Sequence, residues 1–238
     1  MRAWLDALVA LMLAPECAVC RQPLHSPTRG CVCAACWQAI VVTTTPACTG
    51  CGEPLETATG ALRVCATCLS GQPAVTQARA IGPHTGALRG IVHALKYERR
   101  RSLAAPLGRL MHEAGAEVIA GCTAAVPVPL HRARRRARGF NQADDLARHL
   151  GLPVVRALRR VRPTRTQTTL PAGARHDNVA GAFTVTRRVA GLRGTVVLLV
   201  DDVRTTGATL DACAVALKQA GVREVRALTA ARVATPRG

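Results

Sequence analysis

A chain of 238 residues has room for one full core and a small additional module, since single domains commonly run to about 100 to 200 residues. Its 32 Lys and Arg against 14 Asp and Glu give a formal net charge of +18, which favours phosphate-rich partners, either nucleic acid or a phosphorylated small molecule. An aromatic content of 2% leaves few base-stacking platforms, so such binding has to be largely electrostatic.

The first apolar run, Trp4 to Leu13, is far shorter than the roughly 20 residues of a membrane span. It lacks a strong basic leader and an A-x-A cleavage site, and reads as an amphipathic helix packing on the rest of a cytoplasmic protein. Nine of the eleven cysteines then fall between Cys17 and Cys68, and the composition changes sharply near residue 70. That step is the expected boundary between a cysteine-rich module over 1–70 and a second domain over 71–238. Four C-x-x-C pairs stand in order: Cys17/Cys20, Cys33/Cys36, Cys48/Cys51 and Cys65/Cys68. Two C-x-x-C turns offer four thiolates to one tetrahedral ion and leave no open position for chemistry, so the module reads as two structural zinc sites. A reducing compartment disfavours the disulfide alternative. Spacing alone leaves the pairing of the turns open, and leaves Cys31 as a competing ligand.

Beyond residue 70 short apolar runs alternate with helical stretches, the pattern of an α/β fold with a mostly parallel sheet. A strand is expected from Gln77 to Ile81 and a helix from Ala87 to Tyr97, with Leu88, Ile91, Val92 and Leu95 on one face. A second helix follows from Leu103 to Ala116, then a strand from Ala124 to Val128, the basic run His131 to Arg138, and a helix from Gln142 to Leu150. The polar, aperiodic stretch from Val161 to Asn178 reads as a long loop. A buried strand from Thr195 to Val200, a helix from Ala208 to Ala220 and a strand from Glu224 to Leu228 close the chain.

Chemistry concentrates in VVLLVDDVRTTGATL, Val196 to Leu210. An apolar strand delivers Asp201 and Asp202 to its carboxyl end, and Thr205, Thr206, Gly207, Ala208 and Thr209 turn into the next helix. Glycine lets the backbone approach an anion, hydroxyls add donors, and N–H groups at the helix start face it. The acids cannot bind phosphate; they suit vicinal ribose hydroxyls or a Mg²⁺-ordered ligand.

This run resembles the motif by which type I phosphoribosyltransferases hold phosphoribosyl pyrophosphate (PRPP), and the resemblance implies acids on the ribose hydroxyls and the Thr/Gly loop on the 5′-phosphate. It also implies a second loop that grips pyrophosphate with Mg²⁺, for which VPVPLHRARR is the candidate. Further phrases lengthen the match: VPVPLHRARRRARGFNQADDLARHL from Val126, RPTRTQTTLPAGARHDNVAGAF from Arg162, and ALKYERR around Lys96. With the cysteine-rich head they are similar, over nearly the whole chain, to the ComF family of competence-associated proteins. That resemblance implies a double zinc ribbon ahead of a type I phosphoribosyltransferase-like fold. It also implies a part in handling incoming single-stranded DNA during natural transformation, alongside DNA-uptake helicase or processing proteins.

Lys96, Arg132, Arg162, Arg165 and Arg175 are candidates for pyrophosphate or a closing loop; Arg134, Arg135, Arg136 and Arg138 are candidates for DNA. Each has a plainer reading: the arginine run as a solvated face, Lys96 as a helix-end cation, Phe140 as a core anchor, Asn141 and Gln142 as helix caps. Arg204 departs from the apolar or aromatic residue the family pattern leads one to expect, and reads as added charge at the cradle's rim. No residue is assigned to catalysis. An active phosphoribosyltransferase with an unidentified acceptor and a structural adaptor without turnover are the competing functions. A 6-oxopurine salvage enzyme is not among them, because the resemblance places a catalytic aspartate where this chain has Thr205, which is no general base near neutral pH.

Overall fold

The computed structural model describes residues 2–43, 46–55, 63–71, 73–162 and 181–233. Four strands, β1 (Gln77–Pro83), β2 (Ala124–Pro127), β5 (Val196–Arg204) and β6 (Glu224–Arg232), form one parallel sheet in the order β1-β6-β5-β2. Alternate residues of β5 serve opposite faces. Val196, Leu198 and Val200 join one core with α4 (Gly86–Tyr97), α5 (Ala104–Ala114) and α8 (Gln142–Ala147), while Val197 and Leu199 join another with α9 (Ala208–Gln219). Covered on both faces, the strand has no need of polar alternation, which is why it reads as a continuous apolar run.

Several elements differ from expectation. The helix expected over 103–116 is α5, Ala104–Ala114, which Gly115 ends two residues early, and a short α6 (Ala116–Ile119) follows. Strand β6 runs four residues further than expected, to Arg232, and β5 carries Asp201 and Asp202 within it, because the ladder continues past the apolar stretch, with Asp201 paired to Thr229 and Val203 to Ala231 of β6. The basic run folds as α7 (Arg132–Arg138), capped at its end by Gly139 in the left-handed conformation. Leu158–Arg160 (β3) and Phe183–Val185 (β4) pair antiparallel beside the main sheet, where no strands were expected. Of the expected long loop, 163–178 lies outside the described residues.

The cysteine-rich part carries α1 (Arg2–Leu13), α2 (Ala34–Gln38) and α3 (Ala66–Ser70). Helix α1 does not pack through its apolar side chains: Trp4 is 83% and Leu11 84% exposed. It is pinned instead by buried Asp6, which accepts hydrogen bonds from the Thr28 amide and hydroxyl at 2.9 and 2.8 Å. Cys17, Ala18, Leu24, Val32 and Cys36 share one apolar core with Ile91 and Val92 of α4, and Trp37 packs against it. Further along, Thr43 donates its amide to Ile81 of β1 at 2.8 Å, with the Val41 carbonyl so close to Gly82 that a Cβ there would lie 1.9 Å from its oxygen. Only glycine permits that approach. No helix among the described residues is long and apolar enough to cross a membrane.

Candidate functional site and metal centres

The eight cysteines fall into two groups in sequence order, Cys17/Cys20/Cys33/Cys36 and Cys48/Cys51/Cys65/Cys68, each with all four Sγ atoms within 4.8 Å of one another. Interleaved pairing is ruled out by this geometry, and Cys31 belongs to neither group. A tetrahedral zinc with Zn–S of about 2.3 Å has S···S edges of about 3.8 Å. The Cys17–Cys36, Cys20–Cys33 and Cys51–Cys65 sulfurs stand 3.9, 3.8 and 3.5 Å apart, so the donor set fits the ion. Amides point at the thiolates, from Val19 and Cys33 to Cys17 Sγ and from Cys51 and Cys65 to Cys48 Sγ. Burial pushes the Cys17 thiol up but the amides of Cys20, Cys33 and Val19 outweigh it, lowering it to about 6; Cys48 is lowered to about 7 by the same balance, with the Cys51 and Cys65 amides. Burial and the neighbouring thiols push Cys36 and Cys68 up. Four thiolates so close need a divalent cation to deprotonate together.

The second site opens at the carboxyl ends of the parallel strands, where α/β sheets commonly hold ligands. Asp201 and Asp202 lie in a cavity of about 330 Å³ lined also by His84, Arg89, Lys96, Tyr97, Arg134, Arg138, Arg160, Thr205 and Thr209. Lys96, at the last turn of α4, places Nζ 2.8 Å from Asp202 Oδ1. The other oxygen of Asp202, Oδ2, is buried with no hydrogen-bond partner among the described residues. Asp201 Oδ1 accepts the Asp202 amide at 2.9 Å. Burial first, then the Asp202 charge, pushes the Asp201 carboxyl up to about 7. Burial, then the charges of Lys96 and Arg89, lowers His84.

Of the loop residues, Thr205 and Thr209 face the acids. Gly207, at φ +92, turns the chain into α9, the Thr206 hydroxyl accepts the Ala208 amide at 3.4 Å, and Ala208 is buried. Helix α7 is split by its own periodicity. Arg134 and Arg138 line the acid cavity, Arg135 lines a neighbouring one with Arg101, Arg148, Arg156 and Arg188, and Arg132 and Arg136 are exposed. Arg138 donates to Gln142 Oε1 at 2.6 Å and lies 5.4 Å from the Tyr97 ring centroid. Asn141 is a structural cap, accepting the Ala143 amide and donating to the Val128 carbonyl, and Phe140 is buried under Arg101. Arg162 is exposed and lines none of these cavities; Arg165 and Arg175 lie outside the described residues.

Three lining residues carried no signal in the sequence: His84 and Arg89 look like ordinary loop and helix-surface residues, and Arg160 ends an unrecognised three-residue strand. Burial and the Arg134 charge lower Arg160, whose guanidinium lies 5.2 Å from the Phe183 ring centroid. Arg204 does not line the acid cavity: its guanidinium lies against Gly207 of the loop and donates to the Cys51 carbonyl.

Residues 8–69 match the family described as double zinc ribbon domain, and residues 136–238 the phosphoribosyl transferase domain. Competence protein F of Haemophilus influenzae is 31% identical over 227 residues, 91% of this chain and 96% of that protein. The chain belongs to the ComF family. DNA utilization protein YhgH of Salmonella typhimurium, 34% identical over 88% of this chain and 93% of its own length, extends the same family match. Among solved structures, the allosteric regulatory enzyme of purine biosynthesis matches with a TM-score of 0.38 at 18% identity, over 58% of this chain and 30% of its own. Both of the family's expected parts are present here: two four-cysteine zinc-ribbon sites, and a phosphoribosyltransferase-type α/β sheet.

Proposed function

We propose that this ComF-family chain binds PRPP with Mg²⁺ in the cavity between β5 and α7, and that it assists the uptake or handling of single-stranded DNA during natural transformation in the cytoplasm. The observation that carries the reading is the juxtaposition of paired acids with arginines and a lysine in one cavity. A ligand with vicinal hydroxyls at one end and phosphates at the other meets groups suited to both. Ribose hydroxyls would donate to Asp201 and to the buried Oδ2 of Asp202, which has no hydrogen-bond partner among the described residues, with Thr205 to Thr209 around the 5′-phosphate and Arg134, Arg138 and Lys96 near the pyrophosphate. Mg²⁺ arrives with the pyrophosphate and offsets its charge. The names of the relatives, competence protein and DNA utilization protein, support the DNA half, as does the exposed basic flank of α7.

The test is a thermal-shift titration of PRPP with Mg²⁺. Mass action gives about 2.7 kcal/mol of stabilisation at a hundredfold excess over Kd. The D201N/D202N double variant is expected to show none. No shift at millimolar PRPP, or an equal shift in the double variant, defeats the assignment.

A further inference from the structure

We propose that Arg204 is a positioning residue through which the second zinc ribbon holds the phosphate loop in shape; this rests on reading residues 205–209 as that loop. Arg204 is the last residue of β5, immediately before Thr205. Its Nη1 donates to the carbonyl of Cys51, a residue of the second four-cysteine group. The same guanidinium covers Gly207, where a Cβ would lie 3.2 Å from Nε and 3.4 Å from Nη2. One planar group thus touches a metal-binding turn on one side and the left-handed glycine that starts α9 on the other.

The surroundings keep the turn from moving independently. Gly50 accepts the Ala78 amide of β1 at 2.6 Å, and Val75 donates its amide to Asp211 in the first turn of α9 at 3.2 Å. Gly50, Cys51, Val75, Ala78, Arg204 and Gly207 close around one small gap between ribbon and helix. A bond to a carbonyl positions a guanidinium only if the carbonyl is fixed. The Cys51 carbonyl is fixed by the turn that its own Sγ closes on the ion. Filling the second site therefore orders residues 205–209, and a ligand on that loop in turn holds the zinc, since coupling between two sites is reciprocal.

Native-state hydrogen exchange of the 205–209 amides in the full, zinc-loaded chain tests this. Arg204→Met, retaining both zinc ions, is expected to speed exchange there about 5-fold or more, the low end of usual coupling, leaving β6 unchanged. Arg204→Lys should restore part of the protection. Cys68→Ser, which opens the second site, should give the same acceleration, with no further gain when combined with Arg204→Met, because both cut one chain of contacts. Wild-type exchange rates in Arg204→Met, or accelerations that simply add, overturn the proposal. Should Cys68→Ser fail to fold, zinc release to a chelator decides: Arg204→Met should lose one ion about 5-fold faster than wild type, and an unchanged rate overturns the link. In wild type PRPP with Mg²⁺ should slow that release, and in Arg204→Met it should not. If wild type does not bind PRPP at all, the ligand assignment falls and exchange alone decides the role of Arg204.

Discussion

Asp201 illustrates how a site stores its readiness in one ionisation. Its folded carboxyl is raised to about 7 against an ordinary value of 3.8, with burial the main cause and Asp202 the next. A carboxyl raised on folding stabilises the fold fully below its unfolded pKa, and that stability is lost as pH rises through the folded value. The ligand-free protein is therefore expected to lose stability between about pH 4 and 7 through this group. Asp201→Asn, which never ionises, should be more stable than wild type at pH 8 in chemical denaturation, with a flatter pH profile. A less stable variant at pH 8 would show that Lys96 and the Asp202 amide already compensate the charge. The adjacent acids stand out in the sequence because nothing in a buried strand otherwise explains them. His84, Arg89 and Arg160 do not, since each is an ordinary polar residue until the fold brings the end of β1, α4 and β3 to one cavity.

Among the elements, α7 carries all four of the DNA candidates. Seven residues, five of them arginine, fold as a helix although no apolar stripe announces one; the His131 side chain and Gly139 supply the ends. Binding of single-stranded DNA should be mostly electrostatic, with log K falling against log salt by about 0.7 for each phosphate neutralised. Replacing Arg135 and Arg136, which lie outside the acid cavity, together by alanine should flatten that slope as well as weaken binding. An unchanged slope, measured by anisotropy at several salt concentrations, would make the exposed flank of α7 a solvated surface. Periodicity revealed the parallel sheet and its long helices because ten or so residues suffice to average out exceptions. It missed β3 and β4, whose three residues each are too few to show a period of two, and it misjudged α1, where spacing says nothing about whether a partner surface exists.

For the molecule as a whole, the ribbons and the sheet share load. Because Cys17 and Cys36 lie in one core with Ile91 and Val92, metal loss should be felt in α4 as well as in the ribbon. Metal analysis of the untagged chain is expected to find about two zinc ions, and chelation to lower the melting temperature followed by far-ultraviolet dichroism. No metal, with all thiols titratable in the native state, would contradict this. The two tryptophans are placed so unequally that they divide the labour of reporting it: Trp4 stands in solvent on α1, while Trp37 sits one residue past the ligand Cys36 against the shared core. The sheet beyond residue 70 contains none. Indole emission is thus a private signal of the first ribbon undocking from α4, and its blue-to-red drift during unfolding is carried by Trp37 alone. Overlaid on the dichroism of the helices, that drift says whether the two halves come apart in one step or in two.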